Sequence, residues 1–122
     1  MRIRIRIGTL SMEAELYETP TARQIAAVLP ITATFSTWGD EIYFPIPVTA
    51  ALDDRAQEVV AMGDLGYWPP GEAFCIFFGP TPVSRPGEIR PASAVNVVGR
   101  VLGDAAQFKT VMHQRQVTLE AA

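Results

Sequence analysis

The sequence predicts a mainly β fold, a closed β-barrel of about eight strands with one or two short helices, in a single domain covering residues 1–122. Three observations lead there. Residues 2–7 read Arg-Ile-Arg-Ile-Arg-Ile, a strict period-2 alternation. Most later apolar runs are of strand length and end at Gly or Pro, of which the chain has 9 and 10. Only one stretch, after the first pair of strands, combines a helix cap with full helical periodicity.

The first strand puts Ile3, Ile5 and Ile7 on one face and Arg2, Arg4 and Arg6 on the other. Gly8 and Thr9 supply a turn, and Met12, Ala14 and Leu16 then alternate with Glu13 and Glu15, so a hairpin is expected with glutamates facing arginines. Thr19-Pro20 is a helix cap followed by a first-turn proline, and Ala22, Ile25, Ala26 and Leu29 fall at i, i+3, i+4 and i+7, predicting a helix over 20–29. Alternation returns with Ile31, Ala33 and Phe35 and breaks at Trp38-Gly39-Asp40. A strand over 41–46 follows, with Ile42, Phe44 and Ile46 on one face and Glu41 and Tyr43 on the other. Pro45 and Pro47 cannot donate to a ladder, so this strand belongs at an edge, a bulge or a groove.

Residues 53–57 fit a loop or a helical turn equally, and 58–62 are expected to be a strand running into Gly63-Asp64. Gly66-Tyr67-Trp68-Pro69-Pro70-Gly71 reads as a rigid aromatic turn, and the continuous apolar run 73–78 as the central strand. Residues 79–91 carry four prolines and two glycines and are expected to be loop. A strand over 94–102, a short helical segment over 105–112 and a closing strand over 116–120 complete the reading, with first and last strands adjacent.

Composition narrows the function. Hydrophobic residues make up 48% and charged residues 19%, enough for a core of its own. The net charge of −3 and pI near 5.0 provide no basic field for nucleic acid. A lone Cys75 excludes an internal disulfide and fits a reducing compartment. No apolar run reaches membrane-spanning length and the N-terminus lacks a secretory pattern, so a cytoplasmic protein is expected. Nothing in the residues indicates an oligomeric state.

Ser11-Met12-Glu13-Ala14-Glu15-Leu16, followed by Pro20-Thr21-Ala22, resembles the cyclophilin segment in which a strand ending in Glu-Leu precedes Pro-x-Thr-Ala and the first helix. Ala73-Phe74-Cys75-Ile76-Phe77-Phe78 sits where cyclophilins carry Ser-Gln-Phe-Phe-Ile, and Val97-Val98-Gly99-Arg100-Val101-Leu102-Gly103 is similar to their Val-Phe-Gly-Lys-Val-x-x-Gly. Trp38-Gly39-Asp40-Glu41-Ile42-Tyr43-Phe44, Gly63-Asp64-Leu65-Gly66-Tyr67-Trp68 and Phe77-Phe78-Gly79-Pro80-Thr81-Pro82 resemble more closely the small prokaryotic cyclophilin-like proteins of unassigned function. The resemblance implies the cyclophilin-like barrel. It implies prolyl isomerase activity only where the family's catalytic arginine is kept. Cyclophilins place it in Phe-His-Arg before Gly-Phe-Met-x-Gln; here that region reads Glu41-Ile42-Tyr43-Phe44-Pro45-Ile46-Pro47, and no arginine occurs between Arg23 and Arg55.

Trp38, Glu41, Tyr43, Tyr67, Trp68 and Phe78 are the candidate ligand-binding residues, an aromatic groove with Glu41 as its one charge. The alternative is that they are ordinary core and rim aromatics. Both tryptophans are expected partly exposed at the barrel mouth, with Glu41 as the acceptor and Tyr43 joining it only through a bulge at Pro45. Asp40 and Glu41 are sequence neighbours that diverge on a strand, which disfavours an acid/base pair. His113, the only histidine, lies in a polar stretch and reads as surface, a general base only if Ser84, Ser93 or Cys75 comes within its reach; Cys75 reads as an inert buried thiol, and Ser84, Arg85 and Arg90 read as a solvated loop. No metal-ligand spacing or phosphate loop is present, so no catalytic residue, metal or cofactor is assigned. A non-catalytic binder of a small molecule or extended peptide is therefore the reading of choice, with prolyl isomerase and a structural partner subunit as alternatives.

Overall fold

Alternation over residues 2–7 becomes β1 (Arg2–Ile7), with its isoleucines buried and its arginines outward. Gly8, at φ 56°, turns the chain into β2 (Leu10–Leu16), where Arg4 stands opposite Glu13 and pairs with it at 2.9 Å. Both side chains are solvated, so the pair favours this register more than it adds stability. The hydroxyl of Thr19 accepts the Ala22 N–H at 3.3 Å and caps α1 (Pro20–Ala27), which buries Thr21, Ala22 and Ile25. The helix stops at Val28, short of the expected residue 29, because the residue before Pro30 is driven out of helical geometry.

The remaining strands are β3 (Ile31–Thr34), β4 (Ser36–Thr37), β5 (Glu41–Pro45), β6 (Ala56–Gln57), β7 (Asp64–Trp68), β8 (Ala73–Phe77), β9 (Val95–Val101) and β10 (Gln116–Ala121). The computed structural model describes all residues 1–122, and every pairing in its 10-stranded sheet is antiparallel. The order is β3-β10-β1-β2-β9-β7-β8-β5-β4, with β6 added on β9, and the first and last strands are neighbours. Where a closed barrel is expected, the hydrogen-bonded path has two free ends, β3 and β4, joined covalently through the buried Phe35. Phe35 donates its N–H to the Arg115 carbonyl at 2.9 Å, so the 31–36 run splits into two strands at opposite ends of the path.

Two sequence expectations are corrected here. Residues 58–62 are not a strand: β6 is Ala56–Gln57, and beyond it only Val60 forms a bridge, to Ile89. Gly66, Tyr67 and Trp68 are not a turn but the second half of β7; the turn begins at the 3-10 segment Pro69–Gly71, where the prolines withdraw their N–H groups from the ladder. A second 3-10 segment, Ala105–Val111, starts at Asp104, whose carboxylate accepts the Ala106 N–H.

The continuous apolar run forms β8, in which every residue is buried. Its alternate residues enter different clusters. Phe74 and Ile76 join a 25-residue core with Ile3, Ile5, Leu16, Ile25 and Phe44, whereas Ala73, Cys75 and Phe77 join Val60 and Val95 in a separate cluster of 5 on the outer face. A strand buried on both faces needs a cover on each. Inside, the cover is the rest of the sheet with α1; outside, it is the chain around Val60 and Ile89, and it is incomplete.

Candidate functional site

At the incomplete part of the outer cover lies a cavity of about 210 Å³ lined by Trp38, Glu41, Tyr43, Trp68, Pro91, Ala92 and Val95. Strand geometry explains why these side chains meet. The β4–β5 hairpin turns through Gly39, at φ 59°, and Asp40, and the Trp38 N–H donates to the Glu41 carbonyl at 3.0 Å. Trp38 and Glu41 therefore face each other across the hairpin and share a side of it. Tyr43 follows Glu41 by two residues and lies on that same side. The β5–β8 register runs unbroken from Glu41↔Phe77 to Pro45↔Ala73, so Tyr43 joins Glu41 without a bulge at Pro45, by simple alternation. Trp68, paired with Ala73 at the end of β7, brings the second indole from the other flank of β8.

Each wall has a local support. Trp68 donates its indole N–H to Ser93 Oγ at 2.8 Å, and Gly71 lies so close to the ring that a Cβ there would be 2.9 Å from it. Pro91 and Ala92 are set by the preceding loop, in which Ser84 Oγ accepts the Thr81 and Arg90 N–H groups, both at 2.9 Å, and the Thr81 hydroxyl donates to the Arg90 carbonyl. The Val60 N–H donates to the Ile89 carbonyl at 2.9 Å and ties this loop over the sheet.

Glu41 is the unusual group. It is only 6% exposed, yet its carboxyl has no hydrogen bond to any nitrogen or oxygen of the protein, and no lysine, arginine or histidine lines the cavity. The neighbouring Cys75 thiol directs its own hydrogen bond at the Ala73 carbonyl, at 3.9 Å. Every fully buried polar side-chain atom in the molecule has a partner, so the carboxyl keeps its residual exposure, toward the cavity it lines. Loss of hydration disfavours the anion and pushes its pKa up to about 7, against the smaller opposing effect of the thiol. Burial likewise pushes the Cys75 thiol up, reinforced by the neighbouring carboxyl, which leaves it un-ionised and a poor nucleophile.

Four of the candidate residues, Trp38, Glu41, Tyr43 and Trp68, line the cavity, and both tryptophans are half-buried. The other two do not. Tyr67 points inward by alternation, and its hydroxyl donates to the Val48 carbonyl at 2.6 Å. Phe78 is fully buried against Phe108, ring centroids 5.8 Å apart. The cavity opens on the outer face of the sheet and not at a barrel mouth, since Val95 belongs to the outer cluster and Tyr43 and Trp68 pack on it. Pro91, Ala92 and Val95 were not among the candidates; Val95 was legible only as part of a strand, and Ala92 carries no chemical signal. His113 is exposed, Asp40 pairs with Lys109 at 3.7 Å, and Arg90 pairs with Glu88 at 2.6 Å. No three His, Cys, Asp or Glu side chains converge as a metal would need. No helix is long and apolar enough to cross a membrane.

A ten-stranded antiparallel sheet around one short capped helix, with an apolar cleft on its outer face, defines a small β-sheet protein. The cyclophilin-like family model matches residues 1–120, and the chain belongs to that family. Its structure is similar to the solution structure of the hypothetical protein AF2241 from Archaeoglobus fulgidus, with a TM-score of 0.82 and 46% identity over 100% of this chain and 95% of that one. McbB, solved in complex with tryptophan, shares the fold with a TM-score of 0.73 at 14% identity, over 98% of this chain and 44% of McbB. No curated protein matches the chain.

Proposed function

We propose that this protein binds a small organic molecule, or a single side chain of an extended peptide, between Trp38 and Trp68 and above Glu41, without changing it chemically. The observation that carries the reading is an apolar cavity outside the core that holds a buried carboxyl with no cationic partner. Such a group costs stability, and a ligand that satisfies it offsets the cost. The cavity is smaller than the roughly 300–1,000 Å³ typical of drug-sized ligands, so the occupant is on the scale of one ring.

Catalysis has little support. The thiol nearest the cavity is un-ionised, the only histidine is elsewhere on the surface, and no cation faces the cleft to assist amide rotation. A protease-coupled assay on proline peptides is expected to show negligible isomerisation beside a true cyclophilin; turnover comparable to that control overturns this part of the reading. For binding, tryptophan fluorescence screens metabolites, free tryptophan among them, and short peptides. A ligand of this site loses at least about tenfold in affinity on Trp68→Phe or Glu41→Gln, about 1.4 kcal/mol. If both changes leave every detected affinity untouched, the site is elsewhere.

A further inference from the structure

The chemical class of the ligand follows from what surrounds Glu41. We propose that the cavity selects a small organic cation, an ammonium group carrying one ring or short apolar chain, with the charge against Glu41 and the apolar part against the indoles. This inference rests on the binding reading above and narrows it. Indole faces attract cations through the ring quadrupole, and Trp38 and Trp68 both line the same cleft as the carboxyl. Pro91, Ala92 and Val95 give the remaining wall apolar contact and no competing charge.

The charged and titratable groups around Glu41 leave that role open. On β5 the other is Tyr43, which lines the cleft, and on β8 it is Cys75, which carries no charge. At the hairpin, Asp40 is engaged by Lys109; on the covering loop, Arg90 is held by Glu88. Both cations are thus paired with other carboxylates, and neither lines the cleft. Above about pH 7, where the carboxyl is ionised, an anionic ligand would bring a second negative charge against it, and a neutral one would leave the buried anion without a counter-charge.

Ammonium binding stabilises the ionised carboxylate and therefore expels a proton from Glu41. With its pKa near 7, the ionised fraction falls about tenfold between about pH 8 and about pH 6, and the affinity for a cation falls with it. Titration calorimetry on the intact protein with benzylamine, benzyltrimethylammonium, benzyl alcohol and benzoate tests this. The amine stays protonated and the quaternary ion cannot titrate, so any pH dependence belongs to the protein. Expected results are, at about pH 8, a preference of about tenfold or more for either cation over benzyl alcohol and weaker benzoate binding, and, at about pH 7, where about half of Glu41 carries a proton to lose, heats in phosphate and Tris that differ through proton release. Glu41→Gln should abolish the preference and the proton release, bringing both cations down to the level of benzyl alcohol, with thermal unfolding confirming that the variant is folded. Equal binding of benzyl alcohol and benzylamine, lost in Trp68→Phe, overturns the cation inference and leaves the binding site standing. A cation preference that survives Glu41→Gln also overturns it. Binding of none of the four at millimolar concentration overturns the inference, and it overturns the site too if Trp38→Phe and Trp68→Phe leave the ligands of the fluorescence screen unaffected.

Discussion

The two faces of β8 carry side chains of one class and end in opposite states. Phe74 and Ile76 meet a core that is sealed and polar only where it is satisfied, as at the Tyr67 hydroxyl, which donates to Val48 and accepts from Ala50. Cys75 and Phe77, one residue away, meet a five-residue cluster whose cover stops short and leaves Glu41 buried without a cation. An apolar surface that is finished by the chain stabilises the fold, and one that is left unfinished around a charge is available to a ligand. Proximity in sequence therefore says little about role here: Tyr67 is structure and Trp68 is cleft.

Substitutions should separate the two faces. The largest effect is expected inside, where Phe74→Ala should cost about 3–5 kcal/mol and Ile25→Ala about 2–5 kcal/mol in denaturant unfolding. A loss below about 0.5 kcal/mol at either position would show that the inner face is not the sealed core described. Next comes Glu41, where the sign reverses. The folded protein holds a proton up to about pH 7 that the unfolded chain releases near the ordinary value of 4.5, so this group's contribution is fully present below about 4.5 and lost as pH rises to about 7. The displacement corresponds to about 3 kcal/mol, and Glu41→Gln should be more stable than the parent at about pH 8 by up to that amount, with no such advantage near pH 4.5. Unfolding curves at the two pH values check this, and a variant equally destabilised at both would place Glu41 among ordinary structural residues. The smallest effects belong to the indoles. Trp68→Phe removes the hydrogen bond to Ser93 and should cost about 1 kcal/mol, and Trp38→Phe about 0.5 kcal/mol or less. A loss of about 3 kcal/mol at either would move it from cleft to core.

Much of the cavity lining is legible in the sequence. Trp38, Glu41 and Tyr43 fall together because a hairpin turn at Gly39-Asp40 and a two-residue period decide which side chains share a face, and both are local. Trp68 belonged with them only through its pairing with Ala73, a contact between strands that the sequence does not state. Tyr67 and Phe78 were misplaced for the same reason: aromatic character signals burial or binding alike, and only strand direction distinguishes them. Residues 66–68 stay in the strand although Pro69 and Pro70 follow, because a proline withdraws only its own N–H from a ladder.

By itself the sequence determined the hairpin, the capped helix, the buried central strand and the absence of an arginine from the region where the cyclophilin family carries one, because each follows from local periodicity or residue identity. Tertiary structure decided that the hydrogen-bonded path stays open at Phe35, that the cavity lies on the outer face and that Pro91, Ala92 and Val95 wall it. It also decided that Glu41 has no cationic partner. Those properties depend on which distant segments pack together and where the cover of β8 ends, and no local pattern encodes the edge of a contact.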